Sequence, residues 1–482
     1  MNYNEINELI SGKDFSISDA LSALKNHKIT SMELVSAYIK RAEEGAGLNV
    51  YTTLDAKGAL QAAKLVDEQI RNGEHLKPLS GIPVVVKDNI HVGGIRCTGG
   101  SPAFENFVPA EDAEAVRKLR EAGAIILGKT NMHELAFGAT GFNKAYNTGS
   151  AAGVRNPYDT TRIAGGSSSG SAAALAARMA LGALGTDTGG SMRIPPALNG
   201  CIGLRPSAGR YSGDGVIPIA ESRDTIGPMA LCMADLALLD SVISNENELP
   251  TISAEQLRLG VPTEFWQNLD EDVEEASKSA LEALRKHGVT LVPIDDAGLK
   301  DLNEPVGFSV VIHEAYDCMV KYLKDYGHEM TIEQLAEKLA SPDVKAVYDS
   351  MVLPRKLPSR NEMVDVEPLY RAAQAHGRPA LRERYKELFA DNQIDALIFP
   401  TTTSVAPLAN EDIYLPQNFE HLIQNTEPSA SAGIPGLQIP VGRGLATGLP
   451  VGMELDGAYQ SDRRLLAIGQ LLETIFGRIS AP

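Results

Sequence analysis

Basic residues, aromatic rings and long apolar runs are all scarce in this sequence of 482 residues. Lys and Arg number 44 against 62 Asp and Glu, which leaves a formal net charge of −18. A charge of that sign opposes binding to nucleic acid or to an anionic membrane, so the expected partner is a small, neutral or weakly charged molecule. Aromatic residues make up only 5% of the chain, which does not favour a binding site enclosed by many rings.

Cysteine is also rare and carries no metal or redox signal. The four cysteines have no metal-ligand or redox spacing, so reduced, structural thiols are expected. No cluster of metal ligands and no phosphate-binding loop occurs, and we expect neither a metal nor another cofactor. The first ten residues lack a basic segment followed by an apolar run, and no stretch is long enough to span a bilayer. We therefore expect a cytoplasmic protein.

Amphipathic helical patterns alternate with short, wholly apolar runs along the chain, which is typical of an α/β sheet buried on both faces. There is no internal repeat and no long linker, so we predict one domain over residues 1–482. Residues 303–380, rich in helix formers and charges, are predicted to form a helical cover. The predicted helices lie at residues 30–44, 59–70, 111–122, 171–181, 234–243, 274–287 and 383–390, and the predicted strands at 82–86, 124–127, 181–185, 289–294 and 396–399.

Two loops rich in glycine and serine, joined by an alanine-rich helix, occupy residues 163–196. Glycine lets the backbone approach a ligand closely, and serine supplies small hydroxyl groups. In the second loop, Ser191 follows two glycines, which allow successive backbone amides to point at one oxygen atom as an oxyanion hole. A serine nucleophile in such a loop needs a base that accepts its proton.

Lys87 is a better candidate for that base than any histidine. It follows five apolar residues, and burial there would lower its pKa from roughly 10 towards neutrality. The alternative is a lysine at a strand end that extends into solvent. Asp88 would oppose the shift only if it faced Lys87, and adjacent strand residues point to opposite sides. His133 is the histidine nearest to these segments, and we expect it to form hydrogen bonds in the core.

Three segments resemble the amidase signature family in order and spacing: GIPVVVKDN at residues 81–89, GGSSSGS at 165–171 and GTDTGGSMRIP at 185–195. The similarity continues through residues 203–230 and the carboxyl-terminal part of the chain. Members of this family are serine hydrolases with a Ser-Ser-Lys triad. The resemblance implies an α/β fold in which a large, twisted, mixed β-sheet is covered by helices on both faces.

The resemblance also implies roles for individual residues. Ser191 is the expected nucleophile, and Ser167, 24 positions earlier, is the expected relay of a proton between Ser191 and Lys87. In the family, the peptide bond of this relay serine is cis. The expected oxyanion hole is formed by the backbone amides of Thr188, Gly189, Gly190 and Ser191.

Three further residues are expected to support the site. Asp187 and Arg193 are predicted to form a polar network, since a buried arginine needs acceptors. A role for Arg193 in binding a carboxylate is the alternative. Ser168 is expected to shape the first loop, although it also satisfies the G-x-S-x-G elbow of α/β-hydrolases. That elbow needs a strand directly before it, and residues 156–162 are poor strand formers.

The expected reaction is hydrolysis of an amide to a carboxylic acid and ammonia through an acyl-enzyme on Ser191. Residues 129–143, 186–200 and 203–219 look most like the indoleacetamide and mandelamide hydrolase branch, which implies small primary amides of the arylacetamide type. The pocket is expected to draw on the helical cover and on residues 426–436. A homodimer is the expectation at the level of the family.

Several alternatives stay open. One is hydrolysis of carbamoyl compounds such as biuret or allophanate, and another is hydrolysis of peptide C-terminal amides. A third is the amidase subunit of a glutamyl-tRNA amidotransferase complex, although that subunit typically has glutamine where this chain has Ile194. A non-catalytic binding protein on the same fold is a fourth, which the intact catalytic positions disfavour.

Overall fold

The computed structural model describes residues 3–147, 152–359 and 362–482. Within these ranges, the chain forms thirteen β-strands and eighteen α-helices, and short 3₁₀- and π-helical turns lie between them. The strands are β1 Tyr51–Leu54, β2 Pro83–Lys87, β3 Ile125–Thr130, β4 Gly182–Asp187, β5 Ile202–Arg205, β6 Thr225–Ala230, β7 Arg258–Pro262, β8 Thr290–Ile294, β9 Lys356–Ser359, β10 Glu362–Asp365, β11 Ala396–Pro400, β12 Gly436–Arg443 and β13 Pro450–Gly457.

The helices lie before, between and after these strands. They are α1 Tyr3–Ser11, α2 Ile17–Lys25, α3 Ser31–Glu44, α4 Ala56–Arg71, α5 Glu114–Glu121, α6 Ser169–Ala176, α7 Ile194–Asn199, α8 Met233–Ser244, α9 Glu271–Lys286, α10 Leu299–Asn303, α11 Gly307–Asp325, α12 Ile332–Glu337, α13 Pro342–Val347, α14 Val366–Ala372, α15 Arg378–Asn392, α16 Pro416–Ile423, α17 Glu427–Ala432 and α18 Asp462–Phe476.

Eleven of the strands form one mixed sheet in the order β1-β3-β2-β4-β6-β5-β12-β13-β11-β7-β8. The strands β3, β2 and β4 run parallel to one another, as do β11, β7 and β8. All other neighbours in the sheet are antiparallel. The two remaining strands, β9 and β10, form a separate antiparallel hairpin. The predicted large, mixed sheet is confirmed.

Helices cover both faces of this sheet. On β4, Gly182 and Gly185 point to opposite faces, because side chains alternate along a strand. A Cβ at Gly182 would lie 3.0 Å from Leu239 of α8, whereas a Cβ at Gly185 would lie 2.7 Å from Ser168 Oγ, beside the start of α6. The helices α6 and α8 therefore pack on opposite faces, as the predicted architecture requires.

The alanine-rich helix α6 packs closely against a neighbouring loop. A Cβ at Gly170 would lie 2.5 Å from Val50 O, so a larger residue does not fit there. The sequence predicts this helix at residues 171–181, but it spans Ser169–Ala176. It ends early because Arg178 has a φ of 57°, a left-handed conformation that a continuing helix cannot contain.

The local signals for helix starts and buried strands are confirmed. Thr30 caps α3 by accepting from the amide of Glu33, whose side chain accepts from the Thr30 amide in return. Thr331 and Gln334 form the same capping box at α12. Every residue of β2 is buried, as expected for an apolar run in the middle of a parallel set. The remaining predicted elements are present with ends shifted by a few residues.

The predicted cover consists of α11 to α14 with parts of α10 and α15. A separate apolar cluster attaches it to the segment after β3 and to the loop between β5 and β6, and in this cluster Ile312 and Met319 of α11 pack with Met132 and Ile217. The β9–β10 hairpin interrupts the cover and was not predicted. Its side chains are mostly exposed, so no apolar run marks it in the sequence.

The four cysteines are free thiols, and three of them, Cys97, Cys201 and Cys232, are buried. Cys318 is half-buried. No group of three or more His, Cys, Asp or Glu side chains in the described ranges is placed to hold a metal ion. Among the helices described, none has both the length and the apolar character needed to cross a membrane.

Candidate active site

Lys87 is the last residue of β2, and its side chain is fully buried. Its Nζ donates to Ser167 Oγ and to Thr186 Oγ1, both at 2.7 Å, and the carbonyl oxygen of Thr186 lies 3.4 Å away. The alternative of a lysine that extends into solvent is therefore wrong. Lys87 at the end of β2 thus contacts Thr186, the penultimate residue of the neighbouring parallel strand β4, and Ser167 of the first glycine- and serine-rich loop.

Burial lowers the pKa of Lys87 from 10.5 to about 7, although the nearby carboxylates of Asp187 and Asp224 oppose the shift. A neutral amine is thus available near neutral pH, as a general base requires. Asp88 points away, with its Oδ1 3.3 Å from Lys129 Nζ. The predicted opposite orientation of Lys87 and Asp88 is confirmed.

Ser167 lies in the first loop, where the Gly166–Ser167 peptide bond is cis. This agrees with what the resemblance implies for that serine. The side chain is fully buried, and its hydroxyl faces Lys87. The backbone carbonyl accepts from the amide of His133 at 3.2 Å, which ties the loop to the segment after β3.

Ser168 is also fully buried and directly precedes α6. Its hydroxyl donates to the carbonyl of Thr186 at 3.1 Å and accepts from the amide of the same residue at 3.3 Å. The residues before it, 164–167, are in no strand. The α/β-hydrolase elbow is therefore wrong for this chain, and Ser168 joins the first loop to β4.

Ser191 lies in the second loop, shortly after β4, and lines a cavity. Its side chain is only partly buried, in contrast to Lys87 and Ser167. Within the described ranges the Ser191 hydroxyl has no hydrogen-bond partner. The structure thus brings Lys87 and Ser167 into direct contact, while the hydroxyl of Ser191 is hydrogen-bonded to neither of them.

The four amides of the expected oxyanion hole are not equivalent. Gly190 donates its N–H to Asp187 Oδ1, and Met192 donates to Asp187 Oδ2, both at 2.9 Å. The amide of Gly190 is therefore committed to the protein. The amides of Thr188, Gly189 and Ser191 have no acceptor in the part of the chain that the structure describes, and all three residues line the cavity.

Two adjacent residues, Arg223 and Asp224, hold Thr188. Arg223 Nε donates to Thr188 O at 3.0 Å, and Thr188 Oγ1 donates to Asp224 Oδ1 at 2.5 Å. Asp224 also accepts from the amides of Ile219 and Ala220, at 2.8 and 3.0 Å. Burial raises the pKa of Asp224 to about 6, against the effect of these hydrogen bonds. Sequence reasoning missed both residues, although they lie in segment 203–230, which carries the resemblance.

Asp187 is the centre of a buried charge network. It accepts from Arg193 Nε and NH2, both at 3.1 Å, and from Arg205 NH1 at 2.7 Å. Arg193 NH1 also donates to Glu454 at 2.5 Å and to Ser429 Oγ at 2.8 Å. Burial alone would raise the pKa of Asp187, but the two guanidinium groups outweigh it and hold the pKa below its usual range. The expected supporting network is present, and because all three guanidinium nitrogens of Arg193 bond to the protein, a carboxylate-binding role for it is not supported.

His133 has structural partners, as predicted. Its Nε2 lies 3.0 Å from Asp343 Oδ2 on α13, and its Nδ1 lies 3.4 Å from Thr140 Oγ1. A Cβ at Gly138 would lie 2.2 Å from the imidazole ring, so the loop closes tightly over it. His133 therefore joins one wall of the cavity to the helical cover.

The cavity beside Ser191 has a volume of about 70 Å³. Three phenylalanines line it, Phe137, Phe308 and Phe419, and the rings of the last two lie 6.1 Å apart. The low aromatic content of the chain did not predict this concentration, because an average over the chain does not limit a local cluster.

Two charged residues, Arg223 and Glu427, also line this cavity. The helical cover contributes Phe308 and Val311, as predicted. Of the expected segment 426–436, only Glu427 lines the cavity. Glu427 is the first residue of α17, so only the start of this helix contributes to the lining.

Known proteins resemble this chain along nearly its whole length. The model of the Amidase family matches residues 33–466. Mandelamide hydrolase from Pseudomonas putida is 39% identical over 470 residues, which cover 97% of this chain and 93% of that protein. Indoleacetamide hydrolase from Rhizobium radiobacter is 38% identical over 470 residues, 96% of this chain and 97% of that protein.

A solved structure shares the fold along nearly the whole chain. The native peptide amidase from Stenotrophomonas maltophilia superposes with a TM-score of 0.81 and 27% identity, over 97% of this chain and 98% of that one. The family match and the identities across almost the full length show that this chain belongs to the Amidase family and is an amide-hydrolysing enzyme.

Proposed function

We propose that the protein is a serine amidase that converts small primary amides of the arylacetamide type into a carboxylic acid and ammonia. Ser191 is the nucleophile, and Ser167 and Lys87 transfer its proton. The observation that carries this proposal is the buried contact of 2.7 Å between Lys87 Nζ and Ser167 Oγ, next to the loop that places Ser191 at a mainly apolar cavity.

In the first half of the reaction, Ser191 Oγ attacks the amide carbon and a C–O bond forms. The proton of Ser191 moves to Ser167 as Ser167 passes its own proton to Lys87 Nζ. The C–N bond then breaks, and the reverse transfer protonates the departing nitrogen, which leaves as ammonia. In the second half, water attacks the acyl-enzyme along the same proton route and releases the acid.

The negative charge that develops on the amide oxygen needs donors aimed at it. We assign this role to the amides of Thr188, Gly189 and Ser191, whose N–H groups are free of protein acceptors in the described ranges. Thr188 is held from both sides by Arg223 and Asp224, which keeps the start of this loop in place. The amide of Gly190 fixes the turn through Asp187 instead of binding the oxyanion.

The proposed substrate class rests on the relatives and on the cavity. Two relatives across nearly the full length are named for mandelamide and indoleacetamide, both arylacetamide-type primary amides. The lining of the cavity is mainly apolar and includes three phenylalanines, which suits an aryl group. The charge of Arg223 is balanced by Glu427, so the cavity does not favour a substrate with a free carboxylate such as allophanate.

Ammonia release by the purified chain tests the proposal. The substrates are phenylacetamide, indoleacetamide, mandelamide, biuret and a peptide amide, each with the wild-type chain and with Ser191→Ala. We expect release from the aryl amides and none in Ser191→Ala, with the variant still folded by circular dichroism. Release from biuret or the peptide amide alone would favour those substrate classes instead. If no substrate released ammonia, the result would favour a subunit that works only in a complex.

A further inference from the structure

An ion pair lies in the wall of the cavity beside Ser191, among lining side chains that are mainly apolar. Arg223 NH1 lies 3.5 Å from Glu427 Oε1, and Asn303 Nδ2 donates to Glu427 Oε2 at 3.0 Å. We infer that Glu427 determines substrate specificity by accepting a hydrogen bond from an O–H or N–H group on the acyl part of the substrate. This inference rests on the proposed function and names the substrates that the site prefers.

Glu427 lies next to the loop that holds the reacting carbonyl. It is the first residue of α17, and the residue before it, Thr426, donates to Gly189 O at 2.6 Å. A Cβ at Gly307 would lie 2.5 Å from Glu427 Oε1, so α11 begins directly against the carboxylate. The carboxylate is therefore held in one place at the side of the oxyanion loop.

The protein leaves part of the acceptor capacity of this carboxylate unfilled. An ionised carboxylate offers about four lone-pair sites. In the described ranges Glu427 has two donors, and one of them is 3.5 Å away. Its side chain is only 17% exposed, so water reaches it poorly. A donor on the substrate fills a remaining site where a hydrogen bond to a charged acceptor is strong.

Arg223 decides which donors fit. Its guanidinium is 1% exposed and balances the charge of Glu427, so the pair carries no net charge. A cationic substrate would lose its hydration without meeting an unpaired anion, and is disfavoured. Neutral donors have the required chemistry: an α-hydroxyl group on an arylacetamide, or the ring N–H of an indole.

The test uses substrate pairs of matched size. Mandelamide is compared with 2-phenylpropanamide, in which a methyl group replaces the α-hydroxyl, and indole-3-acetamide with benzothiophene-3-acetamide, in which sulfur replaces the N–H. For at least one pair, we expect the wild-type kcat/KM to favour the donor substrate by ~10-fold or more, and Glu427→Gln to reduce that ratio by ~10-fold. Glu420→Gln, the same change at an exposed residue of α16 outside the cavity, should keep the wild-type ratio.

Two results would overturn the inference: equal kcat/KM values within both pairs in the wild type, or ratios that Glu427→Gln leaves unchanged. If Glu427→Gln does not fold, the wild-type ratios alone decide. Failure of the proposed function looks different, because then no member of either pair releases ammonia, and the inference falls with the substrate class.

Discussion

Lys87 Nζ and Thr186 Oγ1 lie 2.7 Å apart, as close as Lys87 Nζ and Ser167 Oγ. Thr186 Oγ1 also accepts from Asn89 Nδ2 at 3.1 Å. With one lone pair used by that amide, the hydroxyl can accept from a charged Lys87 or donate its own proton to a neutral one. A group that serves both protonation states is suited to lie beside a base that changes its charge during turnover.

Thr186→Val should therefore weaken the base. A charged ammonium loses a hydrogen bond worth about 1.5–3 kcal/mol, and a neutral amine loses one worth about 0.5–1.5 kcal/mol. The pKa of Lys87 should fall by about one unit as a result. We expect kcat/KM to fall by ~10-fold and the acid limb of its pH profile to move to lower pH. Steady-state kinetics over a range of pH measures both effects.

Thr186→Ser is the matched control, because it keeps the hydroxyl and should behave like the wild type in both respects. A Thr186→Val profile that superimposes on the wild-type profile would show that the hydroxyl does not act on Lys87.

The wild-type pH profile is itself a prediction. Burial lowers the pKa of Lys87 to about 7, and the base must be neutral. We expect kcat/KM to fall as the pH drops below about 7, with a slope of one proton. Asp224, with a pKa raised by burial to about 6, is the competing source of such a limb. The Asp224 carboxylate raises the pKa of Lys87, so an acid limb caused by Lys87 should move to lower pH in Asp224→Asn. An acid limb caused by Asp224 itself would disappear in that variant.

The same burial predicts a pH-dependent cost in stability. The pKa of Lys87 is lowered from 10.5 to about 7, so below pH 7 the lysine is protonated in both states and the full cost applies. That cost is ~5 kcal/mol. As the pH rises towards 10.5, the folded state loses its proton first and the cost declines. Lys87→Met should thus stabilise the protein at about pH 6 more than at about pH 9, by ~2–3 kcal/mol in urea denaturation. An equal gain at both pH values would contradict the lowered pKa.

Local patterns predicted the elements that depend on neighbouring residues. The five apolar residues of segment 82–86 and the capping box of Thr30 and Glu33 act within one strand or one helical turn, and both are present. The contact of Lys87 with Ser167 joins residues 80 positions apart, and only the resemblance to a family made it predictable. No local spacing marks it.

Other parts of the site could not be predicted in this way. Arg223 and Asp224 bind Thr188 from another part of the chain. Nothing in their sequence spacing indicates which charged residues contact the loop before Ser191 in the folded chain. The cavity takes Phe137, Phe308 and Phe419 from three separate segments that meet only in the folded chain. The homodimer and the cytoplasmic location stay predictions.

Removing the guanidinium of Arg193 should strongly destabilise the protein. Arg193→Met leaves the fully buried Glu454 without its cationic partner and takes two hydrogen bonds from Asp187. Breaking one member of a buried ion pair costs about 3–5 kcal/mol. Arg117→Met is the matched control, because it removes an exposed pair with Glu121 and should change the free energy of unfolding by less than about 1 kcal/mol. Similar losses in the two variants would show that the buried network contributes little.

The turn before Ser191 should tolerate a methyl group at one glycine and not at the next. Gly190 has a φ of 144°, and a Cβ there would lie 2.2 Å from Thr426 Oγ1. Gly189 has space, since its Cβ would meet only Arg223 NH2, at 3.6 Å. Gly190→Ala should therefore lower the free energy of unfolding by about 1–3 kcal/mol and reduce kcat by ~100-fold or more, because the oxyanion loop must shift. The free energy of unfolding of Gly189→Ala should lie within about 1 kcal/mol of the wild-type value. Urea denaturation and steady-state kinetics on the two variants measure this contrast, and equal stability of both would mean that the turn at Gly190 relaxes without loss.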